Sequence, residues 1–416
     1  MGRPVTFVHA ADLHLDAPFA GVDANDERVR AALMEATYIA FDRVIATCIE
    51  ADADFLVLAG DTYNSSEKSL RAQLRFQVGM RRLAEAGIPT YVLQGNHDPA
   101  NGWSAGLEMP SAVHVFPSDR VERLTVERDG ETICALYGRG FAAAVVTENL
   151  AAGYKREPAD RIAIGVLHAN VGGDPEYEPY APCSIDDLRA AGMDYWALGH
   201  IHKHTRLAAE PRAVYAGSPQ GLSPKEAGEH GCYLVTIGPG NVEERFIVTD
   251  AVRWARDEID VSEMADVEAL RTGVRAACER QREAAGGRPV IVRLGLTGRG
   301  PVHADLARPG LLGELIADVS EGQLASEPWV WIARARDLTR PAIDLAAVRE
   351  GGGFAGDLVQ LADDLLAGDP DTLVDEVLAP LRERARGLEV DSSAAEIIER
   401  ARDVCLDLLY AAEDRS

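Results

Sequence analysis

Gly95-Asn96-His97-Asp98 closes the apolar run Thr90-Tyr91-Val92-Leu93 and precedes Pro99. Four further fragments carry metal-binding side chains, each at the end of an apolar run. They are Asp12-Leu13-His14, Gly60-Asp61, His168 and Gly199-His200-Ile201-His202. Each run reads as a buried strand. Strands that end together, each delivering Asp, Asn or His, describe one site for two metal ions. Such a site catalyses cleavage of phosphate esters.

Around these fragments, strand and helix patterns alternate. Residues 5–10 read as a strand. Residues 28–51 carry Val29, Leu33, Ala36, Ala40, Val44, Ile45 and Cys48 at helical spacing. The run Phe55 to Ala59 is continuously apolar, as expected of a strand covered on both faces. A second helix is expected over about 66–86, ending before Gly87 and Pro89. Beyond 111 the pattern turns to short strands: 121–126, 133–137, 162–167, 195–198, 214–215, 232–237 and 244–248. This is an α/β layer structure of two sheets with helices outside, and βαβ units in its first half. A boundary is expected near 250, making 1–250 the main domain. Residues 251–345 read β-α-β-α-β, with a helix near 263–285 and strands at 289–296 and 329–336. They form a small α+β capping module. Gly351-Gly352-Gly353 reads as a flexible link. Residues 346–416 form a helical C-terminal region, with Ile397, Ala401, Val404 and Leu408 at helical spacing.

The 416 residues suffice for two or three domains, and 47% hydrophobic with 26% charged residues is ordinary for a globular chain. No apolar stretch approaches the roughly 20 residues that span a bilayer. The start shows no signal-peptide pattern, so a cytoplasmic location without membrane attachment is expected. Six scattered cysteines form no CxxC pair and read as reduced, mostly buried thiols. The net charge of −25 excludes non-specific coating of nucleic acid. It is evenly spread, −13 over residues 1–250 and −12 over 251–416. If DNA is the substrate, bound cations, local arginines or a partner must offset this field.

Phosphodiester cleavage needs a hydroxide nucleophile at neutral pH and charge relief on the phosphate, and two divalent ions about 3.5–4 Å apart supply both. A bridging carboxylate with mixed carboxylate, imidazole and amide ligands would hold them. Asp12 and His14 lie two apart, so in an extended segment they point the same way, and His200 and His202 share that spacing. Gly60 gives the backbone room before Asp61, Asn96 is a neutral oxygen donor, and His168 is a seventh candidate ligand. Singly, each fragment is weak. A lone His-x-His is more often a surface pair, and a lone buried histidine a satisfied core residue. Five in order at strand ends are a different matter.

The series Asp-x-His, Gly-Asp, Gly-Asn-His-Asp, His, Gly-His-x-His resembles the calcineurin-like metallophosphoesterase superfamily. The resemblance implies a two-sheet sandwich flanked by helices and a binuclear centre of two divalent ions, usually manganese in its nuclease branch. It implies that Asp12, His14, Asp61 and His202 hold one ion. Asp61, Asn96, His168 and His200 then hold the other, with Asp61 bridging. His97 would be no ligand but a catalyst, stabilising charge or protonating the leaving oxygen, and Asp98 would orient it.

Fold alone does not choose among the superfamily's phosphatases, pyrophosphatases and nucleases. The opening His9-Ala10-Ala11-Asp12-Leu13-His14-Leu15 is similar to the start of SbcD-like exonucleases, and Gly199-His200-Ile201-His202-Lys203 to their last motif. Tyr215 to Gly221, Lys225 to Gly228 and Gly231 to Val235 resemble the YhaO-type branch. Asn64 departs from the archaeal and eukaryotic pattern, which often places a histidine there. The branch implies a DNA exonuclease, possibly an endonuclease, in DNA repair. The alternatives are a small-molecule or phosphoprotein phosphatase or pyrophosphatase, and a weakly catalytic DNA-end-binding scaffold. It also implies a homodimer and an SMC-like ABC ATPase partner of the SbcC/YhaN type. Leu70, Leu74, Val78 and Leu83 are candidates for the dimer face, and the helical tail for ATPase docking; ordinary packing is the alternative for both. Arg71, Arg75, Arg81 and Arg82, and Arg293, Arg334 and Arg336, are candidates for meeting phosphates.

Overall fold

Side chains alternate across a strand, so a run apolar on both faces must sit between two layers. The computed structural model describes residues 4–22, 26–65, 69–102, 105–384 and 392–413. In chain order these form β1 (Val5–Ala10), α1 (Glu27–Glu50), β2 (Phe55–Ala59), α2 (Leu70–Glu85), β3 (Thr90–Leu93), β4 (Val113–Val115), β5 (Glu122–Arg128), β6 (Glu131–Gly138), β7 (Ala163–His168), α3 (Ile185–Ala191), β8 (Tyr195–Gly199), β9 (Thr205–Ala208), β10 (Ala213–Tyr215), β11 (Gly231–Gly238) and β12 (Asn241–Val248). Beyond them lie β13 (Arg253–Asp260), α4 (Val267–Ala284), β14 (Val290–Thr297), α5 (Val302–Leu306), α6 (Leu311–Leu324), β15 (Val330–Asp337), α7 (Leu345–Gly351), α8 (Gly353–Ala367), α9 (Pro370–Arg384) and α10 (Ala394–Glu413).

One six-stranded sheet has the order β12-β11-β1-β2-β3-β4, and a second the order β5-β6-β7-β8-β10-β9. Phe7, Val57, Leu136, Ile164, Tyr195 and Val235 are buried together in the core that joins them. The opposite-facing Val8, Leu56 and Leu58 pack with Tyr38, Phe41 and Ile45 of α1 and Phe76, Met80 and Leu83 of α2. On the far side, Leu167, Trp196 and Leu198 pack with Leu188 of α3. The expected two-sheet sandwich flanked by helices is the observed one. Strands β1, β2 and β3 run parallel, as do β7 and β8, so their carboxyl ends gather at one edge of the sandwich. Ligand sites form outside such ends.

By packing, the chain divides into two units. The first is Met1–Asp257 with Cys278–Arg293 and Ser320–Arg334; the second is Glu258–Ala277, Leu294–Val319 and Ala335–Ser416. Strands β13, β14 and β15 form a three-stranded sheet in that order. In the second unit α8, α9 and α10 share a small core of Ala362, Val374, Ala394 and Ile398. There Arg299 reaches Asp403 at 3.0 Å and Asp407 at 3.3 Å, so α10 folds back on its own unit.

Several expectations are corrected. Helix α2 begins at Leu70 because Ser69 caps it, its side chain accepting from the Ala72 N–H; residues 66–68 lie outside the described ones. The triple glycine is a helix break and no link: only Gly352, at φ 62°, separates α7 from α8. Strands β4 and β9, of three and four residues, are too short for a periodic signal. Leu83 is fully buried, which removes it from the dimer face, while Leu70, Leu74 and Val78 are exposed. Arg71 and Arg75 pair with Glu35, and Arg75 and Arg82 with Asp42, so these arginines serve the α1–α2 surface. All six cysteines are free thiols. No helix among the described residues is long and apolar enough to cross a membrane.

Gly199 tests how closely the sheets approach below the gathered strand ends. A Cβ there would lie 2.0 Å from the Ala59 carbonyl oxygen and 2.9 Å from His168 Nδ1. Gly199→Ala is expected to cost about 1–3 kcal/mol, the range for overpacking a rigid core. Urea unfolding at equilibrium measures it, and an unchanged midpoint would refute the close approach.

Candidate metal centre

The backbone turns sharply where these strands end. Asp12, His14, Asp61 and His200 have φ of 51°, 41°, 51° and 99°, values that side chains other than glycine rarely adopt. Strain of this kind persists only where the surroundings hold it, and it gathers at functional sites. The expectation that Asp12 and His14 converge because their segment is extended is therefore corrected. They reach the site through left-handed turns, held by Asp12 N–H to the Gly60 carbonyl and His14 N–H to the Asp61 carbonyl.

Asp61 stands at the middle, 1% exposed. Its Oδ2 lies 3.9 Å from His14 Nε2 and 3.4 Å from His168 Nε2, so one oxygen faces both halves of the site. On one side His14 Nε2 and His202 Nε2 are 3.1 Å apart, with Asp12 completing a group whose ligand atoms lie within 4.8 Å of one another. On the other, Asn96 Oδ1 lies 2.9 Å from His168 Nε2, and Asp12, Asp61 and His168 form a second such group. Gly95 makes this approach possible, since a Cβ on it would meet Asp61 Oδ1 at 2.2 Å. His200 stands slightly apart. Its ring centroid is 5.3 Å from that of His168, and its backbone N–H donates to both Asp12 oxygens at 3.1 Å.

The ring orientations come from an outer layer of acceptors. His168 Nδ1 lies 2.9 Å from the Ala59 carbonyl, His202 Nδ1 3.0 Å from Glu226 Oε1, and His200 Nε2 2.8 Å from the Glu178 carbonyl. Each contact puts the ring proton on the outward nitrogen and leaves the inward one a lone pair, as metal-binding histidines require. For His200 the inward atom is Nδ1. Glu226 was missed as a supporting residue by sequence reasoning; it lies 24 positions beyond His202, and no spacing rule links them.

The electrostatics favour cations. Burial alone would push the Asp61 carboxyl up, but His168, His14 and His97 together hold it well below the usual carboxylate range. Burial opposes charge on His168 too, yet Asp61 and Asp12 push it up to about 9. Burial pushes Asp12 up to about 6, against the pull of His168 and His202. His14 falls to about 3 through burial and the neighbouring His202. The His14 and His202 Nε2 atoms, 3.1 Å apart, are at hydrogen-bond distance, and metal–nitrogen bonds of about 2 Å to both fit the same gap. His14 Nδ1 is buried with no hydrogen-bond partner among the described residues, so no outer acceptor fixes that ring. The donor set of carboxylates, imidazoles and one amide fits two divalent ions.

His97 and Asp98 take different places. His97 is exposed at the rim, its ring perpendicular to His14 at 4.8 Å. Its backbone N–H donates to Asp61 Oδ1 at 2.9 Å, and its Nδ1 lies 2.8 Å from the Asn64 carbonyl. His97, His14 and Asp61 are close enough to be a ligand group. Exposure and the Asn64 contact favour a ring whose Nε2 meets substrate instead. The orienting role expected of Asp98 is corrected: the Asn64 carbonyl holds the His97 ring. Asp98, 2% exposed, accepts from the N–H groups of Thr62 at 2.9 Å, Tyr63 at 3.3 Å and Gly95 at 2.9 Å. It ties the β2 loop to the β3 loop and so positions Asp61 against Asn96.

Residues 5–204 match the family model described as calcineurin-like phosphoesterase, and residues 254–340 match that of the metallophosphoesterase YhaO middle domain. A Bacillus subtilis protein described as uncharacterized metallophosphoesterase YhaO is 37% identical over 342 residues, 82% of this chain and 83% of that one. The chain belongs to the calcineurin-like phosphoesterases. It is also similar to proteins described as DNA double-strand break repair protein Mre11. That of Thermoplasma acidophilum is 27% identical over 259 residues, 59% of this chain and 66% of that one. That of Methanopyrus kandleri is 26% identical over 296 residues, 64% of this chain and 62% of that one. As a calcineurin-like phosphoesterase the chain is a metallophosphoesterase; the family implies two divalent ions, and the two halves about Asp61 are the candidate ligand groups for them.

Removing the outer carboxylate should loosen the ion beside His202. Glu226→Gln is expected to weaken metal binding about 10–100-fold, the usual cost of losing an outer partner of a ligand histidine. Titration calorimetry with manganese measures it. Unchanged affinity would show that Glu226 does not set the His202 ring.

Proposed function

We propose that this protein is a manganese-dependent DNA phosphodiesterase of the SbcD–YhaO kind, an exonuclease acting in DNA repair. The observation that carries the reading is His97: an exposed imidazole at the rim of the Asp61 cage, its Nδ1 taken by the Asn64 carbonyl and its Nε2 left for substrate. DNA as substrate is supported by the relatives described as double-strand break repair proteins. Manganese is supported by a donor set of oxygens and imidazoles without thiolate.

When bound, two divalent ions supply a hydroxide nucleophile at neutral pH and relieve charge on the phosphate. The chain does the rest. Asp61, Asp12 and Asn96 keep their oxygens turned inward, and Asp98 holds the two loops that carry Asp61 and Asn96 in register. In its doubly protonated form His97 keeps Nδ1–H donating to the Asn64 carbonyl and gives its Nε2 proton to the departing oxygen, so that the proton is delivered from one direction.

Two exposed surfaces support the proposed partners. The exposed stripe Leu70, Leu74 and Val78 on α2 suits a second copy of the chain. In the helical tail, Val404 and Leu408 are exposed, and an apolar groove of about 250 Å³ runs between Leu361, Val377 and Ile397. This suits a helix of an SMC-like ATPase, laid in by its apolar face. Such a partner would supply the positive surface that a chain of net charge −25 lacks. Arg334 and Arg336, both exposed, are the chain's own candidates for phosphate contact.

The test is manganese-supported cleavage of end-labelled single- and double-stranded DNA, beside a generic phosphomonoester. DNA is expected to be degraded, and chelation to stop it. His97→Ala is expected to lower kcat about 10²–10⁴-fold, the span of a general acid, with metal content unchanged. Efficient turnover of the monoester with DNA untouched, even beside a cognate ATPase, would overturn the nuclease reading in favour of a phosphatase.

A further inference from the structure

The segment between β7 and α3 forms one wall of the metal centre, and apart from the Glu178 carbonyl its residues are used by nothing described so far. It is built to hold its shape. Asn170, 1% exposed and two residues past His168, donates through Nδ2 to the carbonyls of Asp174, Tyr177 and Glu178 at 2.9, 3.3 and 3.4 Å. Its Oδ1 accepts from the Asp174 N–H at 2.8 Å. One buried side chain thus ties down four backbone groups of an exposed loop. The ends are fixed as well: Gly172 N–H donates to the Cys183 carbonyl at 2.9 Å and Ala181 N–H to the Val146 carbonyl at 2.7 Å. The wall is also joined to the metal ligands, because the Glu178 carbonyl is the acceptor for His200 Nε2 at 2.8 Å.

This wall sets an aromatic ring against the site and carries negative charge next to it in the chain. The half-buried Tyr177 ring lies 5.9 Å from the His200 ring and 6.0 Å from the His202 ring, edge-on to both. Glu176 and Glu178, on either side of it, are exposed. Residues 162–188 contain no Lys or Arg and five acidic residues, so no cation of the segment offsets them. A nucleic acid strand carries a phosphate about every 3.4 Å of axis. Charges are screened only beyond about 8–10 Å at physiological salt. A strand running through the centre and onward past Tyr177 would therefore bring phosphates within reach of two uncompensated carboxylates. A strand that ends at the centre would bring only its terminal nucleoside, whose base has a face for Tyr177.

We propose that the Gly172–Ala181 segment selects strand ends for this centre: Tyr177 packs against the terminal nucleoside, and Glu176 and Glu178 deny the phosphate backbone a path beyond it. The proposal rests on the DNA reading above and names the part of the chain that turns a phosphodiesterase into an end-directed one. Tyr177 touches substrate; the two glutamates act by excluding the wrong one, which is how specificity against a competitor is commonly built.

The test compares manganese-supported cleavage of a linear single strand and a covalently closed circle of the same sequence, by wild-type protein, Glu176→Gln/Glu178→Gln and Tyr177→Ala. Wild type is expected to cut the linear strand at least about tenfold faster, the scale of one misplaced like charge. The double variant should narrow that ratio at least about threefold by admitting the circle. Tyr177→Ala should raise KM for the linear strand about tenfold, as loss of one base-stacking contact does, with a smaller change in kcat. The ratio is internal to each protein, so a general loss of activity leaves it unmoved. Equal cutting of circle and linear strand by wild type, or a ratio unmoved in the double variant, overturns the proposal and leaves the DNA reading standing. Cleavage of bis(4-nitrophenyl) phosphate with neither DNA touched overturns both.

Discussion

An ionised carboxylate buried between two β-sheets governs this structure. Asp61 is 1% exposed, and taking such a charge out of water costs several kcal/mol unless opposite charge and hydrogen bonds surround it. The protein surrounds it from five directions. His14 and His168 approach Oδ2, the His97 N–H meets Oδ1, and Gly95 and Asp12 close the remaining sides. That convergence requires three neighbouring strands of one sheet and two of the other to end at the same level. The left-handed turns at Asp12, His14, Asp61 and His200 are its conformational cost.

Outside this shell lies a second one that fixes directions more than charge. Ala59 and Glu178 offer carbonyls and Glu226 a carboxylate, so three histidines present lone pairs inward. Asp98 ties the β2 and β3 loops together through backbone N–H groups, and Asn64 orients the one exposed histidine. The division of labour in Gly95-Asn96-His97-Asp98 is therefore spatial. One residue gives room, one turns an oxygen toward His168, one stands exposed at the rim, and one holds two loops in register.

Acidity pervades the chain, yet it acts differently in different places. In the centre, Asp12 and Asp61 stand among histidines as candidate cation ligands. On the α1–α2 surface Glu35 and Asp42 engage arginines that would otherwise be free for phosphate. In the tail Asp403 and Asp407 hold α10 against Arg299. Along residues 172–181 no basic residue answers the carboxylates, and there the charge is left to act on whatever approaches the site.

The sequence by itself determined the strand ends and what each delivers. A continuous apolar run such as Phe55–Ala59 belongs between two layers, and five such runs in order carry their polar ends to one edge. The seven candidate ligands, the two-sheet architecture and the family were legible for that reason. Tertiary structure decided what depends on contact between distant segments. The Asn64 carbonyl takes the orienting place that the resemblance implied for Asp98, because the carbonyl nearest the His97 ring belongs to another loop. Glu226 is tied to His202 across 24 residues without periodicity. Leu83 and the α2 arginines read as one amphipathic helix, and only packing shows which of them face α1 and which face solvent. Spacing fixes the face of an element on which a side chain lies; the partner it meets there is set by the rest of the fold.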